Sequence, residues 1–227
     1  MIFRIIVLLL LATTVVSKAQ VEEKSYNIGL LAGPVLTNQK FPSGFGATYG
    51  GVKSTSEISS VNYSLQAYKV KALRKNWQLE INLSFDRYGA TTEFNYESSP
   101  QPGRTTSRGR EVNYIALGSK ISRQVGRKKW TVSPFAGFAI EYLLSSKSKV
   151  IYLDDSGVRT QSYTDLTNFE QRLNFNYDVG ITVGYDLTSK VVLTLRPYYK
   201  HNLRGSVFGP SEKLFYGYGI LLGARLK

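Results

Sequence analysis

The sequence contains no cysteine and only one histidine, His201, and these absences exclude several kinds of site. Without cysteine no disulfide can form. Transition-metal sites need several histidine, cysteine or clustered carboxylate ligands, and the adjacent acids Asp154 and Asp155 are typical of a solvated turn. No glycine-rich phosphate-binding loop of the P-loop type occurs. We therefore expect no metal, no cofactor and no catalytic site.

The sequence also lacks a long apolar run, apart from its first residues. Arg4 is followed by a largely apolar segment, 5–16, and Ser17 and Ala19 are small residues at the positions of a cleavage site. The apolar segment is shorter than the roughly 20 residues that a helix needs to span a bilayer. We therefore predict a signal peptide over 1–19 and one domain over 20–227, with no lipid-modified cysteine as an anchor.

What is abundant is alternation of apolar and polar residues. Between residues 169 and 187 the odd positions are largely apolar and the even positions are polar or glycine, as in a strand with two different faces. Related segments are 26–36, 61–71, 77–96, 110–125, 130–145, 191–202 and 214–227. The connections between them alternate long and short, as they do in outer-membrane barrels. The sequence thus predicts an all-β fold, an eight-stranded antiparallel up-and-down transmembrane β-barrel in the cell outer membrane.

A soluble barrel of the lipocalin type is the alternative, and it would turn its apolar face inward around a ligand. Aromatic residues favour the membrane, because Trp77 and Trp130 each follow a basic short turn. Together with Tyr26 and Tyr185 they are predicted to form the periplasmic aromatic girdle. A second girdle is predicted from Tyr142, Phe169, Tyr199 and Tyr216.

Charged residues lie on the opposite, polar faces of the same segments. An eight-stranded barrel is just wide enough to be filled by side chains, so we interpret these charges as a salt-bridged interior rather than a pore lining. The predicted lumen charge network comprises Glu80, Asp86, Lys120, Glu141, Arg172, Asp178, Arg196 and Arg225.

Several of these segments resemble the PorT-like outer-membrane β-barrel proteins of Bacteroidetes. Residues 111–117 (EVNYIAL) are similar to a strand motif of that family, and so are 133–137 (SPFAG) followed by 141–147 (EYLLSSK). Residues 178–185 (DVGITVGY) resemble its glycine-spaced sixth strand. The resemblance implies a barrel without a known activity, with some members associated with secretion or gliding machinery.

Three functional hypotheses follow. The first is a structural or interaction role, with the long loops 38–60, 97–109, 146–168 and 204–213 as the contact surface. The second is a lipid A-modifying barrel enzyme in which His201 acts with Ser206 or Ser211 and Glu170. The third is a narrow small-solute channel.

The net charge of +13 is explained by basic periplasmic turns that attract anionic head groups. Expected partners are outer-membrane lipids, lipopolysaccharide phosphates near Arg104, Arg108 and Arg110, and proteins that bind the loops. Nucleic acid is not an expected partner in this compartment.

Overall fold

The computed structural model describes residues 27–40, 52–96, 105–127, 129–153, 158–169, 172–203 and 214–227. This part of the chain is almost entirely β-strand. The strands are β1 (Asn27–Lys40), β2 (Val52–Ala72), β3 (Trp77–Tyr96), β4 (Thr105–Arg123), β5 (Val125–Arg127), β6 (Trp130–Leu153), β7 (Arg159–Asp165), β8 (Leu173–Asp186), β9 (Val191–Asn202) and β10 (Leu214–Leu226). No helix in these ranges is long and apolar enough to cross a membrane.

Eight of the strands close into a barrel with the predicted up-and-down order. Strands β1, β2 and β3 each pair antiparallel with the next strand, β4 pairs with β6, and β6, β8, β9 and β10 continue the wall. The pairing of β1 with β10, from Ile28 opposite Leu226 to Lys40 opposite Leu214, closes it. The short β5 pairs with the start of β6, and β7 pairs with the outer part of β6. The predicted eight-stranded antiparallel barrel is confirmed.

The faces of the strands are also arranged as the alternation indicates, with polar residues inside. In β2, Asn62, Ser64 and Gln66 are buried, whereas Tyr63 and Leu65 between them are exposed. Side chains alternate along a strand, so the same separation extends around the wall. An exposed apolar belt surrounds a polar interior, which is the reverse of the lipocalin arrangement. Lys69 lies on the outer face near the periplasmic end of β2, where its long side chain can reach the interface.

The outer ends of the strands differ from the prediction. Residues predicted to lie in three long loops are instead strand: β2 begins at Val52, β4 begins at Thr105, and β6 extends to Leu153 and forms a hairpin with β7. These extensions are rich in serine, threonine and charged residues. Beyond the lipid there is no apolar face to maintain, so the ladder continues without the alternating signal. Conversely, β8 begins at Leu173, and Phe169 ends a 3-10 turn that begins at Thr167.

Candidate functional site in the barrel interior and at its rims

An arginine–glutamate pair connects opposite walls of the barrel in its periplasmic half. Arg196 on β9 donates from its two terminal nitrogens to Glu80 on β3, at 2.8 and 2.5 Å. Its Nε donates to Thr182 Oγ1 at 3.0 Å, and Nη1 also lies 3.3 Å from Gln66 Oε1. Two parallel bonds between a guanidinium and a carboxylate are strong and directional. The pair therefore holds two strands that are distant in the chain at a fixed separation.

Lys120 on β4 extends this cluster toward β8. Its Nζ lies 2.7 Å from Asp178 Oδ2 and 3.9 Å from Glu80 Oε1. Aromatic rings cover the cations: Lys120 Nζ is 4.9 Å, and Arg196 Cζ 5.3 Å, from the centroid of Phe135. Desolvated cations are attracted to the faces of such rings. Strands β3, β4, β8 and β9 thus meet in one ion-paired layer.

A second layer lies closer to the outer end of the barrel. Asp86 accepts hydrogen bonds from Ser64 Oγ and Ser84 Oγ, each at 2.6 Å, and from Lys200 Nζ at 2.9 Å. Tyr88 OH donates to Glu141 Oε1 at 2.8 Å. Lys200 is absent from the predicted network. It lies four residues from Arg196 on the same face of β9, so alternation alone could have identified it.

One predicted member of the network lies elsewhere, and another lies at its periplasmic edge. The prediction for Arg172 is wrong: it precedes β8, its side chain is exposed, and its Nη1 donates to the hydroxyl of Tyr142 at 3.3 Å. Because the strand begins one residue later, Arg172 has no inward strand position to occupy. Arg225 is half-buried at the periplasmic end. There it lines a cavity of about 20 Å³ together with Tyr68, Glu80 and Arg196.

The buried charges are balanced in number. Among the described residues, the buried carboxylates are Glu80, Asp86, Glu141 and Asp178, and the buried cations are Arg110, Lys120, Arg196 and Lys200. Charges removed from water are tolerated when they are paired and hydrogen-bonded. The interior cavity that Arg225 lines with Glu80 and Arg196 is large enough for about one water molecule. Chemically, this interior can hold the wall strands together, and it leaves little space for a solute.

Aromatic side chains are found at the periplasmic rim where the sequence indicated. Trp77 begins β3 and Trp130 begins β6, and both side chains are exposed on the outer face. The ring of Tyr185 on β8 lies 4.7 Å from that of Trp130. Tyr26 lies outside the described residues. The exposed indoles fit the interfacial position at which amphipathic rings are enriched.

A second aromatic group surrounds His201 near the outer end of β9. The imidazole stacks on Tyr177 at 5.5 Å and on Tyr216 at 6.4 Å between ring centroids, while Tyr199 and Tyr218 are 5.0 Å apart. These rings cross β8, β9 and β10 on the outer face, and we call them the outer aromatic belt. Ser206, Ser211 and Glu170, the other residues of the enzyme hypothesis, lie outside the described residues. The stacking makes His201 part of an interfacial aromatic surface.

The comparison with protein families agrees with this architecture. Residues 18–206 match the family described as "Outer membrane protein beta-barrel domain". Among solved structures, the Neisserial surface protein A (NspA) is 14% identical, with a TM-score of 0.44 over 91% of this chain and 99% of that chain. The outer membrane protein OprG of Pseudomonas aeruginosa is 9% identical, with a TM-score of 0.44 over 89% and 96%. The outer membrane protease OmpT of Escherichia coli is 9% identical, with a TM-score of 0.47 over 92% and 99%. No curated protein matches the chain.

Proposed function

The chain belongs to the outer membrane protein β-barrel domain family, and from that premise we propose that it is a closed barrel whose outer surface binds a partner protein. It resides in the outer membrane. The proposed role is structural or interaction-based and not catalytic, as a component of a PorT-like system linked to secretion or gliding. The resemblance of the strand motifs at 111–117 and 133–147 supports this finer assignment.

The observation that carries the proposal is the ion-paired interior. A pore needs a continuous water-filled path, whereas Arg196, Glu80 and Lys120 meet across the lumen in the periplasmic half of this barrel. Breaking such buried pairs to open a path costs about 3–5 kcal/mol for each pair. A closed interior favours a role for the surface over a role for the lumen, and therefore disfavours the small-solute channel.

The outer hairpin of β6 and β7 is the best candidate for the contact surface. Residues Arg159–Asp165 of β7 pair with Lys147–Leu153 of β6, and six of the seven β7 residues are exposed. Among the described strands, β7 pairs with β6 alone. A strand at the end of a ladder can add an extended segment of another protein by backbone hydrogen bonding. We therefore assign the partner to this edge.

Photocrosslinking in the native outer membrane tests the assignment. A photoreactive residue at Ser162, exposed on β7, is expected to yield a discrete protein adduct. The matched control is Ile140, exposed on the apolar wall, which is expected to yield lipid adducts only. Identical adducts from the two positions, or lipid adducts alone from Ser162, would contradict the interaction role of the hairpin.

A further inference from the structure

The barrel wall is interrupted between β2 and β3 near its outer end. Ser59 pairs with Ala90 and the ladder resumes with Ser64 opposite Asp86, so the register shifts by one residue between them. Such a bulge leaves backbone groups without a partner strand. Here the Thr37 side chain from β1 takes the place of the missing strand partner. The Thr37 hydroxyl donates to Gly89 O at 2.6 Å and accepts from Gly89 N at 3.0 Å. The backbone groups of Gly89 at the gap are therefore satisfied, and the gap is a stable feature of the wall.

A cleft of about 390 Å³ opens at this gap. Its floor includes Gly89 on β3 and Gly109 on β4, which have no side chains to fill it. A Cβ atom at Gly109 would meet only ordinary neighbours, Thr91 Oγ1 at 3.4 Å and Lys149 Cβ at 3.7 Å. There is therefore room for a side chain at position 109, and glycine at this position keeps the cleft open.

The lining of the cleft is cationic. Arg87 and Lys149 contribute two positive charges and Glu111 one negative charge. Arg110 also lines the cleft, but its side chain is buried and its guanidinium lies 6.0 Å from the ring centroid of the buried Phe215, so the expected contact of Arg110 with lipopolysaccharide phosphates is wrong. The Nη2 atom of Arg87 lies 2.6 Å from Glu111 Oε2, and its guanidinium lies over the ring of Tyr63 at 5.8 Å. A guanidinium has five donors. Arg87 is therefore held in place from two sides while other donors remain for a ligand.

The height of the cleft identifies the ligand class. Arg87 follows Trp77 by ten residues along β3, which corresponds to about 25 Å across the bilayer for a tilted strand. That is the height of the apolar band of an outer-membrane barrel, so the cleft begins where acyl chains end. Directly below it the wall is apolar and aromatic, with Tyr63 and Phe85 stacked at 5.9 Å. An anionic group attached to acyl chains fits both halves of this surface.

We propose that this cleft binds a phosphate group of an outer-leaflet glycolipid. Arg87 and Lys149 contact the phosphate, and an acyl chain lies along Tyr63 and Phe85. Arginine suits a phosphate because its planar fork matches the oxygens. The lipid proposal does not rest on the partner of the β7 edge, although the two surfaces adjoin, because Lys149 pairs with Tyr163 of β7 and its Nζ lies 5.9 Å from the centroid of that ring. The outer aromatic belt lies across the barrel from the cleft. Among the described residues of that belt, no cation is found in contact with the rings, so the belt is not a comparable phosphate site.

Lipid binding in nanodiscs of neutral phospholipid tests the proposal. The probes are bisphosphorylated lipid A, the same lipid A after dephosphorylation, and inorganic phosphate. The double variant R87Q/K149Q is expected to bind bisphosphorylated lipid A roughly thirtyfold more weakly than the wild type, because it loses the attraction of two cations to an anionic lipid. The matched control K129Q/K190Q removes two exposed cations at the periplasmic rim, away from the cleft, and is expected to weaken binding much less than R87Q/K149Q does.

The variant G109L tests the cleft without changing its charge. Its side chain would fill the floor, and we expect it to lose most of the binding while its heat-modifiable gel migration is retained. Wild-type affinity in G109L, or an equal loss in K129Q/K190Q, would overturn the site. Equal binding of dephosphorylated lipid A would exclude phosphate as the recognised group. Displacement by millimolar inorganic phosphate would show a site for free anions and overturn the lipid assignment.

Discussion

Replacement of Arg196 by methionine is predicted to destabilise the barrel strongly. The side chain is 2% exposed and makes both of its short bonds to Glu80. Methionine fills similar space but leaves the buried carboxylate with Lys120, whose Nζ is 3.9 Å away. Breaking a buried ion pair costs about 3–5 kcal/mol because one charge remains uncompensated. We expect the free energy of unfolding to fall by about this amount.

The assay is urea unfolding of the refolded protein in lipid vesicles, followed by the fluorescence of Trp77 and Trp130. The control Lys190→Met removes an exposed cation, and a surface change of this kind alters stability by about 0.5 kcal/mol at most. The double variant Arg196→Met/Glu80→Met removes both charges and is expected to recover most of the loss, since the stranded carboxylate is gone. Unchanged urea resistance of Arg196→Met would refute a structural role for the pair.

Three further predictions concern the wall of the barrel. Lipids brominated near the glycerol should quench Trp77 and Trp130 strongly and equally, and lipids brominated at the chain end should quench them weakly; failure of both quenchers would show that these strand faces do not meet lipid. The variant His201→Ala should leave lipid A unchanged in mass spectra of native cells, whereas altered lipid A would revive the enzyme hypothesis. The variant Gly223→Ala should lower the free energy of unfolding by about 1–3 kcal/mol, because its Cβ would overlap the Leu30 carbonyl oxygen across the β1–β10 closure; Gly109→Ala is the tolerated control, and equal urea resistance of the two variants would contradict this.

The barrel itself could be predicted because lipid imposes a strict pattern. Every residue between Ile81 and Phe85 must either face acyl chains or the interior, so alternation is readable there and in the equivalent parts of other strands. The outer extensions of β2, β4 and β6 meet water on both sides, and their sequences are correspondingly irregular. The strand ladder continues through them because backbone pairing does not require an apolar face.

The interior could be predicted in composition but not in pairing. Alternation places Glu80, Lys120 and Arg196 inside, yet which carboxylate meets which cation depends on register and strand tilt around the barrel. The register shift between Ser59 and Ser64 of β2 could not be predicted either, because a one-residue bulge has no characteristic residue type in this sequence. For that reason the cleft over Gly89 and Gly109 is a property of the structure that sequence reasoning did not find.

Conductance across a planar lipid bilayer tests the closed interior most directly. With Glu80, Lys120, Asp178 and Arg196 joined across the lumen, wild-type protein inserted at high density should show no stepwise conductance above the bare membrane. Insertion is verified in the same bilayer by protease protection of the wall strands. Reproducible, voltage-independent single-channel steps from the wild type would contradict the account and restore the small-solute channel.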